Sequence, residues 1–175
     1  MLSLRKLKKV SGSLALVDLP VPEPGPGEVV LKVAACGICG SDLHAYQQDP
    51  GYEFVNVPVT MGHEFAGTIT AIGPGVTGWR VGQRACAIAI QFCGTCLACR
   101  RGAEQLCEQR VVQGLHYDGG MAEFVKIEAR YLVPLPEELD LQEAALVEPL
   151  SVAVHCVGDR CKIAPGDLAV VTGPG

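Results

Sequence analysis

A mainly β domain, a strand-and-turn barrel with short helices and one metal-binding lobe, is predicted by three features of this sequence. Short apolar runs rich in β-branched residues recur at positions 29–35, 65–72, 84–90, 122–127 and 131–134, the composition that suits a pleated, half-buried surface. The 21 glycines and 12 prolines fall between those runs, where turns need positive φ or a fixed bend. The third is the spacing Cys93-Gly-Thr-Cys96-Leu-Ala-Cys99 with Cys107 following, which leaves the strand pattern as a separate excursion.

Taken in order, Pro24-Gly25-Pro26-Gly27 turns the chain into the strand at 29–35. Residues 41–48 are expected to form a short helix with Ser41 as its cap, because a side-chain oxygen can accept from the free N–H groups of the first turn. The strand at 65–72 ends at Gly73-Pro74-Gly75, and Trp79 is expected to pack in the hairpin leading to 84–90. After the cysteine lobe, Asp118-Gly119-Gly120 turns into the strand at 122–127. Asp140 with Glu143 three residues on resembles a capping box, opening a helix over 141–147. Pro149 is expected to divide that helix from a second one over 150–158, leaving Glu148 at the joint. Pro165-Gly166-Asp167 then leads into the apolar run 168–171, read as a buried strand.

With 175 residues the chain can bury a real core and is too long for a zinc-stapled miniprotein. Lys and Arg number 14 against 19 Asp and Glu, a formal net charge of −5. The run Arg5-Lys6-Leu7-Lys8-Lys9 is the only basic cluster, so nucleic-acid binding is disfavoured. Ser11-Gly12-Ser13 interrupts any apolar stretch behind it, and no segment has the length of a membrane span, so neither a signal peptide nor a membrane partner is expected. Reduced cysteines point to the cytoplasm.

Four thiolates at such intervals can converge on one tetrahedral zinc ion, with bonds of about 2.3 Å. The competing reading is a disulfide cluster. Five further cysteines, at 36, 39, 86, 156 and 161, make the total nine, and that odd number scattered through apolar runs favours zinc. Of these five, Cys36, Cys86, Cys156 and Cys161 read as core or surface thiols.

Cys39, His63 and Glu64 form a different set, a thiolate, an imidazole and a carboxylate flanked by glycines. Mixed ligands suit an open catalytic site that keeps a position for water or substrate. Alone, each residue is as easily a core cysteine, a hydrogen-bonded histidine or a surface acid.

Together, Cys36-Gly-Ile-Cys39-Gly-Ser-Asp-Leu-His44, Gly62-His63-Glu64-Phe-Ala-Gly67 and the four-cysteine lobe resemble the zinc-dependent medium-chain dehydrogenases over nearly the whole chain. Glu148-Pro-Leu-Ser-Val-Ala-Val-His155 places a glutamate where classical alcohol dehydrogenases have a third-ligand cysteine, so the resemblance leans to the polyol branch of sorbitol, butanediol and threonine dehydrogenases. It implies a GroES-like β-barrel catalytic domain over residues 1–150, with 93–107 as its structural zinc lobe. Residues 151–175 would be a connecting helix and the first strand and glycine turn of a nucleotide-binding Rossmann domain that the chain lacks. Cys39 and His63 would ligate a catalytic zinc, Glu64 would bind it directly or exchange onto it, and Glu148 would ligate it or hold its water. Asp42 would fix the His63 tautomer, and Ser41 and His44 would relay the released proton; helix capping is the rival role for Ser41, and for Asp42 a place as a helix-start carboxylate. Cys93, Cys96, Cys99 and Cys107 would hold the structural zinc, giving two zinc ions per chain.

Gly173 and Gly175 look like the opening of a G-x-G-x-x-G phosphate loop, so the parent protein is expected to use NAD or NADP. The implied activity is oxidation of a secondary alcohol of a polyol or vicinal diol. Threonine or a simple alcohol is the alternative substrate, and a non-catalytic zinc-binding interaction module the alternative class. The parent is expected to be a homo-oligomer, dimer or tetramer, and the 175 residues alone are expected not to turn over. His116 and Tyr117, beside the Gly119-Gly120 turn, would line the pocket or pack a loop. His155 reads as structural.

Overall fold

The computed structural model describes residues 1–173. Its centre is a five-stranded antiparallel sheet in the order β10-β6-β5-β3-β9, formed by β3 (Glu28–Cys36), β5 (Phe65–Ile72), β6 (Arg84–Ala87), β9 (Phe124–Glu128) and β10 (Leu132–Pro134). These are the five apolar runs of the sequence, with ends moved by a few residues. The run at 84–90 is the exception: it breaks after Ala87 and resumes as β7 (Ile90–Gln91), which pairs with β8 (Val111–Val112) to close the loop carrying the lobe. Val29, Leu31, Phe65, Ile69, Val125, Ile127 and Tyr131 form the main core, with Trp79 packed at its edge. The Tyr131 hydroxyl donates to the Phe92 carbonyl, and its ring meets Phe92 edge-on at 5.5 Å, tying the base of the lobe to the barrel.

A second sheet, β2-β1-β4, joins β1 (Leu2–Lys6), β2 (Leu14–Asp18) and β4 (Val59–Thr60). The charge pattern hides this hairpin, because Lys6 is fully buried and donates its Nζ to the Val10 carbonyl at 3.0 Å. Burial pushes its pKa down.

Helix α1 (Gly40–Gln47) begins one residue earlier than expected and is capped by Cys39, not Ser41. The Cys39 N–H donates to Asp42 Oδ2 at 3.0 Å, so the carboxylate at the third helical position does the capping that the Ser41 hydroxyl was expected to do. Helix α2 (Leu97–Arg100) is one turn within the lobe. Asp140 caps α3 (Leu141–Ala144) through the N–H groups of Gln142 and Glu143, but α3 is shorter than expected. The break falls at Ala145–Leu146, ahead of Pro149. Proline is the third residue of α4 (Val147–Val154), in the first turn, where its missing N–H would have no helical partner anyway. Glu148 therefore lies in the first turn of α4 and not at the joint, and α4 runs across residue 150. A π-helical turn follows at His155–Arg160.

The run 168–171 forms no strand. Leu168 is 97 % exposed and Val170 84 %, because no described strand lies beside it to complete a ladder. Gly173 has φ +71°; Gly175 lies outside the described residues. Among those residues, no helix is long and apolar enough to cross a membrane.

Candidate active site and zinc lobe

Antiparallel pairing of β3 with β5 matches Cys36 to Phe65. The end of one strand and the start of the next therefore bring Cys39 beside His63 and Glu64. The Gly37 N–H donates to the Glu64 carbonyl at 2.7 Å, and a Cβ on Gly37 would collide with the Glu64 carboxylate, so the glycine leaves the side chain its space. Gly62 has φ +90°, and a Cβ there would lie 2.6 Å from both Cys36 Sγ and Met121 Cγ. That backbone turn aims His63 and Glu64 into the site.

The donor atoms of Cys39, His63 and Glu64 lie within 4.8 Å of one another. Both His63 and Glu64 are buried, and a cleft of about 460 Å³ opens above them. Glu148 lines this cleft with Ser41 but stands outside the tight cluster. Burial raises the pKa of Glu148, partly offset by the nearby His63. Ser41 Oγ lies 3.3 Å from His63 Nε2. On the other side of the ring, His63 Nδ1 faces Asp42 Oδ1 at 3.9 Å. Both atoms are buried without another partner, and burial pushes the Asp42 carboxyl pKa up. An imidazole backed by a carboxylate on one nitrogen and facing a thiol and a second carboxylate with the other fits a metal ion. His44 extends to Asp49, Nδ1 to Oδ2 at 2.7 Å, and stacks on Tyr52. The hydrogen bonds of Ser41 and His44 thus run to different partners.

In the lobe the four sulfurs stand 3.4 to 3.9 Å apart along the contacts Cys96–Cys99, Cys93–Cys107, Cys93–Cys99 and Cys96–Cys107. A disulfide would require about 2.05 Å, so the disulfide reading fails. A tetrahedron with bonds of about 2.3 Å has edges of about 3.8 Å, which the observed spacing fits. Backbone N–H groups support the sulfurs: Thr95 and Cys96 donate to Cys93, and Cys93 and Gln109 to Cys107. Donation from the Thr95 hydroxyl and these amides draws the Cys93 thiol down to about 6, whereas burial pushes Cys99 up to about 12. One thiol is thus already biased toward the thiolate that a metal needs.

Two donor sets at these positions agree with the comparison to known proteins: residues 25–137 match the alcohol dehydrogenase GroES-like domain family. The chain belongs to the zinc-dependent medium-chain dehydrogenases. It is 40 % identical to a sorbitol dehydrogenase of Halalkalibacterium halodurans over 100 % of its own length and 50 % of the relative's. It is 37 % identical to an L-threonine 3-dehydrogenase of Xanthomonas campestris pv. campestris (strain B100), covering 96 % and 49 %. Among solved structures, an NAD-dependent alcohol dehydrogenase superimposes with a TM-score of 0.86 at 30 % identity, covering 95 % of this chain and 49 % of that one. The chain therefore spans about half the length of the curated relatives it matches.

Sequence reasoning did not find the rest of the cleft, which includes Tyr52, Phe54, Ile90, Val112 and Leu115. The alternation Tyr52-Glu53-Phe54, two of only eight Tyr and Phe residues, was the available signal. Of the pair at the Gly119 turn, His116 does not line the cleft but accepts the Val112 N–H at Nδ1, 3.0 Å, and stacks on Phe54. Tyr117 faces a separate cavity. His155 is exposed and bonds Asp159.

Proposed function

We propose that Cys39, His63 and Glu64 hold a catalytic zinc ion, with Glu148 as a further ligand or as the holder of its water, and that Cys93, Cys96, Cys99 and Cys107 hold a structural one. The observation that carries this reading is the convergence of thiolate, imidazole and carboxylate within 4.8 Å beneath an open cleft. Residues 1–150 act as the catalytic domain, and residues 151–175 connect it to nucleotide-binding machinery for NAD or NADP, with Gly173 and Gly175 in the phosphate turn. The whole protein oxidises a secondary alcohol of a polyol or vicinal diol by hydride transfer, and assembles as a homo-oligomer in the cytoplasm.

When bound, zinc supplies Lewis acidity that eases loss of the alcohol proton. The chain's own groups do the remaining work. Asp42 orients His63 from behind, keeping Nε2 free to donate its lone pair. Ser41 Oγ stands 3.3 Å from that nitrogen, where it can take up the alcohol proton. The further step to solvent is assigned to His44, one turn along α1, whose Nδ1 stands 2.7 Å from Asp49 Oδ2. A bound nicotinamide would supply the hydride acceptor, and it would be held by binding residues beyond this barrel.

Elemental analysis tests the metal assignment. Two zinc ions per chain are expected, falling to one in Cys39→Ser and in His63→Ala. A count of one in the parent chain, unchanged by either substitution, would show a lobe-only interaction module instead. Assay of the 175 residues with NAD or NADP and a panel of alcohols is expected to give no sustained turnover.

A further inference from the structure

Of the nine cysteines, four make the lobe, Cys39 joins His63 and Glu64, and Cys36 and Cys86 pack against the barrel core. Cys156 and Cys161 remain, both exposed and outside the two donor sets. In an α-helix, residues five apart have Cα atoms about 8.7 Å from each other, beyond the span of about 4.4–6.8 Å that a disulfide allows. The chain does not continue as an α-helix there. His155–Arg160 is a π-helical turn, and the Cys161 N–H donates to the Cys156 carbonyl at 2.8 Å, where an α-helix would use the Val157 carbonyl. A backbone bond that closes one helical turn holds the Cα atoms of its two residues about 6 Å apart, within disulfide reach. The return is fixed from the other side as well. Lys162 has φ +55°, a left-handed conformation uncommon for a residue with a long side chain, and the Ile163 N–H bonds the Val157 carbonyl at 3.2 Å, closing the helix end. The Cys161 thiol is thereby placed against that of Cys156; the hydrogen bond between them and the neighbouring charge push the Cys161 pKa up.

We infer that Cys156 and Cys161 form a redox modification site, which a low-molecular-weight disulfide of the oxidised-glutathione class converts to an intramolecular disulfide. The Cys156 thiolate attacks one sulfur of the reagent, whose S–S bond breaks as one glutathione thiolate leaves. Cys161 then gives its proton to solvent and attacks Cys156 Sγ, expelling the second glutathione. The two protein thiols lose two electrons and two protons, and one reagent disulfide becomes two thiols. Cys161 is the second to react because Cys156 beside it disfavours its thiolate. Elsewhere the chain offers no such pair: the lobe sulfurs suit a metal, and Cys86 is buried. The inference is independent of the metal reading, since neither sulfur belongs to a donor cluster. A pair of this kind in a reducing compartment opens and closes with the thiol pool and is no permanent staple.

The test is to incubate the zinc-saturated chain with oxidised glutathione, block free thiols with iodoacetamide and digest with trypsin. Cleavage after Arg160 separates the two cysteines, so a disulfide leaves two peptides joined until dithiothreitol parts them. The joined pair is expected to outnumber mixed glutathione disulfides at either cysteine by at least about tenfold, because the second thiol is already held at the first. With isotopically light and heavy chains mixed, joined peptides are expected to be all light or all heavy. In Cys161→Ser, glutathione is expected to stay on Cys156. Mixed disulfides as the main product in the parent chain, no oxidation of either cysteine, or joined peptides that combine light with heavy would overturn the inference.

Discussion

Gly62 shows how single residues set this site. Its φ of +90° is a conformation L side chains rarely adopt, and an added Cβ would also meet Cys36 Sγ and Met121 Cγ at 2.6 Å. Gly62→Ala is therefore expected to cost about 2–3 kcal/mol, read as a fall in thermal midpoint of roughly 4–12 °C; a midpoint within a degree of the parent would refute the steric account. Asp42 offers a cleaner separation of roles. Asp42→Asn keeps an oxygen for the Cys39 N–H but removes the charge facing His63 Nδ1. Zinc affinity at the Cys39–His63 site is expected to drop by roughly 10–100-fold, with the four-cysteine lobe unaffected, as measured by competition with a chromophoric chelator. Equal weakening at both sites would make Asp42 a general fold residue. The two candidate donor clusters were legible in the sequence because few residue types bind zinc and their spacing is restrictive. Tyr52 and Phe54 were not, since an aromatic pair acquires meaning only when residues 49–56 fold over the cleft.

At the scale of elements, β3 and β5 were readable because their apolar runs are nearly continuous, although Lys32, Ala34 and Thr70 are exposed. The β1–β2 hairpin was missed for the opposite reason: Arg5 and Lys6 look like a solvated basic run, yet Lys6 is buried and Arg5 pairs with Asp118. The α3–α4 break was misplaced because proline was assumed to end a helix, where it serves within a first turn. Glu28 illustrates how a strand end is secured. Its Oε2 accepts from the Gly25 N–H at 2.8 Å and from Lys126 Nζ at 2.9 Å, linking the turn before β3 to β9. Burial alone would raise its pKa, but Lys126 and the Gly25 amide hold it below 4.5. Because the folded value lies below the unfolded one, its contribution is complete above about pH 4.5 and is lost as pH falls through the folded value. Glu28→Gln is expected to cost about 0.5 kcal/mol at pH 7 and nothing measurable near pH 2. Denaturant midpoints across that range check it, and a cost that grows with acidity would reverse the sign.

Across the whole molecule, stability should be graded along the chain. The barrel concentrates fully buried side chains such as Val29, Leu31 and Ile69, whereas every described residue from Ser151 onward is exposed. The run 168–171 has the apolar pattern of a buried strand yet lies exposed and unpaired. Without ladder partners, its amides have no bond to break before they exchange. Hydrogen exchange followed by mass spectrometry is therefore expected to show the amides of 168–173 fully deuterated at the earliest time points. Peptides from β3 and β5 should hold protection near the global unfolding limit. Chelating zinc should accelerate exchange over 93–107, where thiols and not apolar burial close the loop, while β3 and β5 stay protected because their core contains no metal ligand. Simultaneous loss of protection in lobe and barrel would mean that the lobe is part of one cooperative unit, and that its zinc supports the fold that positions Cys39 and His63.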